Sequence, residues 1–519
     1  MFASSTSLDT EPVSLQRDGE SLASGGGAGT GHLFIVHGRL GDLTCDAIIV
    51  TNDDRGILGE HWQTAIGVGE QTLDMSTGWA RIDAATYPAF AVSIEAEYGA
   101  VLARIERCLG EVARYFDGRE TSRGRGALPL VVLPVVGIGE GGLSDHRGDV
   151  VRDLAARLTT VAGDQCMDIA LVTPDPAVWS AAQFARRGST SPLPVDLEDQ
   201  ARRLGDLARQ RRLALFMGAG VSIPSGLPSW HTLLERLAEE FDVAEELRSA
   251  KDFSSTDKAG LIEKTSDDGF KEVVATQFAG EHRPSLLHTL IAALDPREVI
   301  TTNYDLLYEE AVRATGRGIA SVMPWESALE KHRWILKLHG DTQHPEQIVL
   351  TRHHMVRYDA ANRPSASMLQ SLLLTRHTLF VGVSMTDDNV IRLMHEVEEY
   401  RSVHKATSSE TFGTVLDVAG DVARARLWND QLTWLDLEHA SEDRGTRVLE
   451  LFLDRVALHA SQDSSWLLDE QFAPLLGADD NDLAQRARDL YADIAQRGGE
   501  AWLPLVEKMR DLGARSDRT

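Results

Sequence analysis

Five apolar residues, Leu213–Met217, run straight into the turn GAGVSIPSGLPSW (218–230), and a helical pattern begins at 231. A short run this apolar, bounded by glycines, reads as a strand buried on both faces of a parallel sheet. Glycines at 218 and 220 let the backbone approach a ligand closely. The helix behind them offers free N–H groups and the positive end of its dipole, a setting suited to a pyrophosphate. This one stretch therefore points to an open α/β sheet with a phosphate-type site past the strand's carboxyl end. It is not the ordinary dinucleotide fingerprint, because the third glycine position is Ile223, and it is not a Walker loop, because no lysine follows.

The same punctuation recurs along the chain. Runs at 299–302, 334–338, 378–383, 414–418 and 432–437 read as further strands, separated by helical patterns such as 231–241 and 389–400. The interval 243–295 is mostly helical and falls between the first two strands, where an insertion would form a small cap. Before this region, 33–37, 47–51, the run LPLVVLPVVGIGEGG and 168–173 read as strands, with helices near 100–115 and 149–161. At 519 residues the chain exceeds one ordinary core. The expected organisation is a flexible tail (1–31), an α/β domain (32–190), a linker helix (191–212), a second α/β domain (213–460) and a helical C-terminal region (461–519).

Composition narrows the class. A net charge of −27 disfavours a protein that tracks nucleic-acid phosphates. Three cysteines, Cys45, Cys108 and Cys166, argue against a disulfide framework and fit a reducing cytoplasm. The opening segment lacks the pattern of a secretory signal, and no apolar run is long enough to cross a bilayer.

GAGVSIPSGLPSW resembles the first nucleotide-binding motif of the sirtuins, Gly-Ala-Gly-x-Ser followed by Ser-Gly-Ile-Pro. VITTNYDLLYE (299–309) resembles their Thr-Gln-Asn-x-Asp segment, WILKLHGD (334–341) the strand-ending His-Gly, and FVGVSMTDDNV (380–390) the later Gly-x-Ser loop. The four occur in family order over roughly 213–457. The resemblance implies a Rossmann-like sheet that binds NAD through Gly218, Ala219, Gly220, Ser222, Ser225, Gly226, Thr302, Asp305, Gly382 and Ser384, with Asn303 and His339 as catalytic residues. An asparagine amide can hydrogen-bond a ribose hydroxyl and a water, and an imidazole titrating near neutrality can accept a proton.

Sirtuin deacylases carry a zinc module with two Cys-x-x-Cys pairs. No cysteine follows Cys166 here, and HEVEEY at His395 lacks the second histidine of a zinc motif, so no metal is expected. Family members without that module resemble bacterial defence effectors. The implied activity is an NAD glycohydrolase that depletes NAD in antiphage, abortive infection. The alternatives are an NAD-dependent deacylase or ADP-ribosyltransferase, and a non-catalytic nucleotide-sensing subunit. Such effectors act as oligomers or beside a partner protein. In the first half, GRLGDLTCDAIIVTNDDRGILG, LPVVGIGEGGLS and DIALVTPDPAVWSAAQ resemble macro domains. That resemblance implies a regulatory nucleotide contacted by Asp46 and Asn52, its phosphate cradled by Gly137, Gly139 and Gly141. The same fold would serve equally as a scaffold for subunit contacts.

Overall fold

Each apolar run singled out above forms a strand, and the strands assemble into two separate sheets. The computed structural model describes residues 30–83, 87–94, 97–121, 128–138, 146–266, 269–318, 320–328, 333–361, 363–404, 411–440, 445–461 and 464–515. Within 1–31, only Thr30 and Gly31 are described. Both are tied down, since Arg447 donates to the Thr30 carbonyl at 2.8 Å and a Cβ on Gly31 would lie 2.1 Å from the carbonyl oxygens of Ala162 and Met167.

The first sheet contains β1 (Leu33–His37), β2 (Ala47–Asn52), β3 (Trp79–Ile82), β4 (Ala89–Ser93), β5 (Leu130–Pro134) and β6 (Asp168–Thr173). Their order is β1-β6-β5-β2-β4-β3, parallel except for the edge strand β3. The second sheet contains β7 (Leu213–Met217), β8 (Glu298–Thr301), β9 (Ser321–Met323), β10 (Trp334–Lys337), β11 (His377–Val381), β12 (Gly413–Asp417) and β13 (Leu432–Asp436). It is wholly parallel, in the order β13-β12-β11-β7-β8-β10-β9. The chain leaves β7 toward β8 on one side and returns to its other side with β11. The crevice past the carboxyl ends of β7 and β11 is therefore the switch point at which open α/β sheets bind ligands.

The stretch 191–212, expected as a linker helix, is helical over Val195–Arg209 and packs into a core shared by both sheets. Helix Val195–Arg209 buries Leu197, Ala201 and Leu204 in a core that also contains Phe34, Val36, Ile48 and Val50 of the first sheet and Leu213, Leu215 and Met217 of the second. Helices Leu286–Ala293 and Thr446–Ala460 share this core. Charges buried on the last helix find partners in both directions. Asp454 accepts from Arg186 at 2.6 and 2.7 Å, Arg447 donates to Asp168 at 2.9 Å, and Arg455 pairs with Glu198 at 2.6 and 2.8 Å. Burial alone would raise the Asp454 carboxyl, but Arg186 and His32 hold it at about 2. Removing one partner of such a pair leaves a bare buried charge, at a cost on the order of 3–5 kcal/mol.

Only part of the interval 243–295 caps the second sheet. Helix Ser255–Thr265 and its neighbours pack around Leu233, Ile262, Phe270 and Tyr304, whereas helix Leu286–Ala293 is core. The C-terminal helices Ala478–Arg497 and Leu503–Asp511 pair through Tyr491, Ile494, Val506 and Met509. They leave Leu483, Leu490, Leu503 and Leu505 exposed.

Candidate active site

Two backbone turns meet at the switch point with no space between them. A Cβ on Gly218 would lie 2.5 Å from the Gly382 carbonyl oxygen, and one on Gly220 would lie 2.8 Å from the Gly382 Cα. Gly218 N–H donates to the Val381 carbonyl and Gly220 N–H to that of Gly382, both at 3.0 Å. Gly382 itself has φ of +65°, a left-handed conformation that favours glycine.

Around this crossing opens a cavity of about 650 Å³ whose lining includes Gly218, Ala219, Gly220, Thr302, His339, Gly382, Ser384, Asp417 and Trp434. These residues lie at or just past the carboxyl ends of six neighbouring strands, β10 to β13. At about 4.8 Å per strand the span is about 24 Å, enough for an extended dinucleotide. Ser254, Ser255 and Thr256 line the same cavity, which brings the N-terminus of cap helix Ser255–Thr265 over the site.

His339 stands two residues past β10 and is 4% exposed. Gly340, next to it, has φ of +83° and turns the chain where a side chain would strike the Gln347 carbonyl oxygen at 2.7 Å. The Nε2 of His339 lies 3.1 Å from Oδ2 of Asp387. Asp387 also caps helix Asp388–Val403 through the N–H groups of Asn389 and Val390. Burial works to raise its carboxyl, but the His339 imidazole and these N–H groups hold it below the usual carboxylate range. An ionised carboxylate only accepts, so in the neutral imidazole Nε2 carries the hydrogen and the buried Nδ1 holds a lone pair. That Nδ1 has no partner among the described residues. Carboxylate, imidazole and free ring nitrogen in this order are the arrangement a general base requires, with its protonated state stabilised from behind.

Asn303, 6% exposed, lies one strand away, past β8. It lines a second, small cavity of about 20 Å³ with Ser222, Tyr304 and Asp305, and Ala219, Trp230 and Thr302 line both cavities. The volume is that of a single water. The Gly218 carbonyl, which can only accept, lies 3.1 Å from one end of the Asn303 amide and identifies that end as nitrogen. The same nitrogen donates to Ser222 Oγ at 3.0 Å. The amide oxygen, buried and without a partner among the described residues, remains free to accept a hydrogen bond.

The residues singled out in the sequence thus divide. Gly218, Ala219, Gly220, Thr302, His339, Gly382 and Ser384 border the large cavity, and Ser222, Asn303 and Asp305 the small one. Ser225 and Gly226 border neither. They close the turn after Gly218–Gly220, where the Ser225 carbonyl accepts from His282 Nδ1 at 3.0 Å and Gly226 has φ of +84°. Asp387, bonded to the catalytic candidate, had no local signal beyond its suitability as a helix cap. In the first half, Asn52 and Gly137 share the carboxyl edge of β2 and β5, and the Asn52 amide nitrogen is buried without a partner among the described residues. Asp46 does not join them. It precedes β2 at the opposite edge, where its carboxylate accepts the Leu130 N–H at 2.7 Å and clips β2 to β5. Gly139 and Gly141 lie outside the described residues. Among the described residues, no group of three or more His, Cys, Asp or Glu side chains is placed to hold a metal.

Residues 297–430, which carry Asn303, His339, Gly382 and Asp387, match the SIR2-like domain family. This sirtuin-like region is also similar to curated proteins. The NAD(+) hydrolase ThsA of Bacillus cereus (strain MSX-D12) is 28% identical over 194 residues, 36% of this chain and 40% of that protein. Defense-associated sirtuin 2 of Bacillus subtilis is 28% identical over 215 residues, 38% of this chain and 20% of that protein. The ThsA of Enterococcus faecium is 28% identical over 219 residues, 39% of this chain and 43% of that protein. The chain thus spans less than half the length of these relatives. No helix among the described residues is long and apolar enough to cross a membrane.

Proposed function

We propose that the chain is an NAD glycohydrolase and serves as an antiphage effector that depletes NAD when triggered. The observation that carries the reading is the pair of buried, unpartnered acceptors, Asn303 Oδ1 and His339 Nδ1, on neighbouring strands beside a glycine-crossed switch-point cavity. The names of the relatives support it. In this reading the pyrophosphate lies on Gly218–Gly220 and Gly382, the nicotinamide ribose beside His339, and adenosine toward Asp417 and Trp434. The bond between ribose and nicotinamide breaks, its electron pair leaves with the base, and a cation-like sugar forms. A water held by Asn303 Oδ1 forms the new carbon–oxygen bond and loses its proton to His339 Nδ1. The products are ADP-ribose, nicotinamide and one proton.

The first half is the regulatory part of this proposal, sensing a nucleotide or a partner protein. Its support is a direct contact. Thr44 donates its N–H to the Pro284 carbonyl at 2.9 Å and its hydroxyl to that of Arg283 at 2.8 Å, beside the helix that carries His288. Arg283 bonds back to the Tyr87 hydroxyl. The test is purified protein incubated with NAD, with and without extract of infected cells, the products being resolved by chromatography. Free ADP-ribose and nicotinamide in equal amounts are expected, lost on Asn303→Ala or His339→Ala. Product that forms only with an acetyl-lysine or protein acceptor refutes the hydrolase.

A further inference from the structure

Asn303 works only if its amide stays turned the right way, and the structure shows what turns it. Ser222 Oγ lies 3.0 Å from Asn303 Nδ2, 2.8 Å from Asp305 Oδ2 and 3.3 Å from Nε2 of His288. His288 is wholly buried at the third position of helix Leu286–Ala293, where it closes a capping box with Ser285. The Ser285 N–H, which can only donate, reaches His288 Nδ1 at 3.1 Å. Nδ1 is therefore bare, and the single hydrogen of the neutral imidazole sits on Nε2, facing Ser222. Burial keeps the ring neutral, pushing its pKa down to about 4.

The remaining hydrogens then have one consistent arrangement. Ser222 gives its hydroxyl hydrogen to the Asp305 carboxylate. Its two lone pairs receive His288 Nε2–H and Asn303 Nδ2–H, and the second Nδ2 hydrogen goes to the Gly218 carbonyl. Gly218 alone fixes which end of the amide is nitrogen but not its torsion. The Ser222 acceptor fixes the torsion, and His288 fixes Ser222.

We infer that His288 is a positioning residue for Asn303, acting through Ser222, so that the capping box of a core helix sets the amide that faces the reacting sugar. This inference rests on the NAD-cleaving role proposed for Asn303.

The experiment is steady-state cleavage of NAD by the full chain bearing His288→Leu, Ser222→Ala, both together, or His288→Gln. Gln at this position of a capping box still accepts the Ser285 N–H and offers a neutral N–H donor. His288→Leu is expected to lower kcat on the order of 10- to 100-fold, with KM changed by less than about threefold, because His288 lies outside the cavity lining. His288→Gln is expected to recover most of the loss. The double variant is expected to fall no further than Ser222→Ala, as for two residues acting through one contact. Losses that multiply, a loss carried by KM, or an unchanged kcat in His288→Leu overturn the inference. If His288→Leu does not fold, His288→Met, which also lacks the donor facing Ser222, takes its place in the cycle under the same criterion. Wild-type protein that leaves NAD intact both with and without extract of infected cells refutes the hydrolase reading and this inference with it. An active wild type with an indifferent His288→Leu refutes the inference alone.

Discussion

Replacing Gly218 by alanine adds one methyl group at the point where the two site turns touch. The backbone there is extended, with φ of −119° and ψ of 179°, so alanine suffers no conformational strain. The whole effect must come from space. The new Cβ would lie 2.5 Å from the Gly382 carbonyl oxygen and 3.0 Å from the Val383 Cα, about 0.9 Å inside the 3.4 Å at which ordinary contact begins. Both neighbours are backbone at the end of a central strand, so the β7 and β11 turns must separate by nearly that distance. Overpacking of this kind costs about 1–3 kcal/mol of stability. A displacement near 1 Å in a positioning element costs on the order of 100-fold in rate. The assay pairs thermal unfolding with NAD cleavage for Gly218→Ala and for Gly260→Ala as control. Gly260 lies in helix Ser255–Thr265 with nothing near its added Cβ, and alanine there should stabilise by about 0.5–1 kcal/mol. Gly218→Ala protein that melts and cleaves NAD like the wild type would show that the crossing does not hold the phosphates.

Three further outcomes follow from the same geometry. Asp387→Asn keeps a good helix cap but presents an amide to His339, which favours the wrong imidazole tautomer. Cleavage should fall by about 10²–10⁴ with little change in melting temperature, and an unimpaired rate would remove the general-base assignment. Burial holds His288 at about 4 and His37 at about 3 in the folded chain, against 6.5 when unfolded. Below pH 6.5 the unfolded chain takes up protons that the folded chain refuses, so stability should decline as pH falls from about 6.5 to about 4. His288 alone accounts for about 3 kcal/mol of that decline; denaturant titrations giving equal stability at pH 7 and pH 5 would contradict it. The cavity end proposed for adenosine carries Asp417 and Asp421, and among the described residues its one lining Arg or Lys, Arg424, is hydrogen-bonded to Asp421. NADP, with a 2′-phosphate at that end, should be cleaved at least about tenfold less efficiently than NAD, and comparable kcat/KM values would show that the end is misassigned.

Local pattern carried most of the architecture. Strands β7, β8, β10 and β11 are apolar runs soon followed by Gly218, Asn303, His339 and Gly382, and that punctuation marks both the sheet and its ligand edge. The short strands β3 and β9 at the sheet edges, and β4 beside one of them, are too weakly patterned to separate from loops. The features that escaped the sequence are contacts made in three dimensions. Asp387 follows β11 and His339 follows β10, strands with β7 and β8 lying between them, and no spacing rule joins those positions. Likewise, nothing local in the linker helix shows that Glu198 pairs with Arg455 and His459, more than 250 residues away, within the shared core. His288 belongs to no motif of the sequence, and its link to the site is the 3.3 Å contact with Ser222, 66 residues earlier in the chain. Asp46 was read from its place in a motif, whereas its carboxylate serves the pairing of β2 with β5.

The most direct measurement is a structure of the His339→Ala protein soaked with NAD. The account predicts pyrophosphate on Gly218–Gly220 and Gly382, the nicotinamide ribose between Asn303 and the truncated residue 339, and the adenine toward Trp434. A dinucleotide bound at another edge of the molecule, or lying with its adenine beside Asn303, would contradict it.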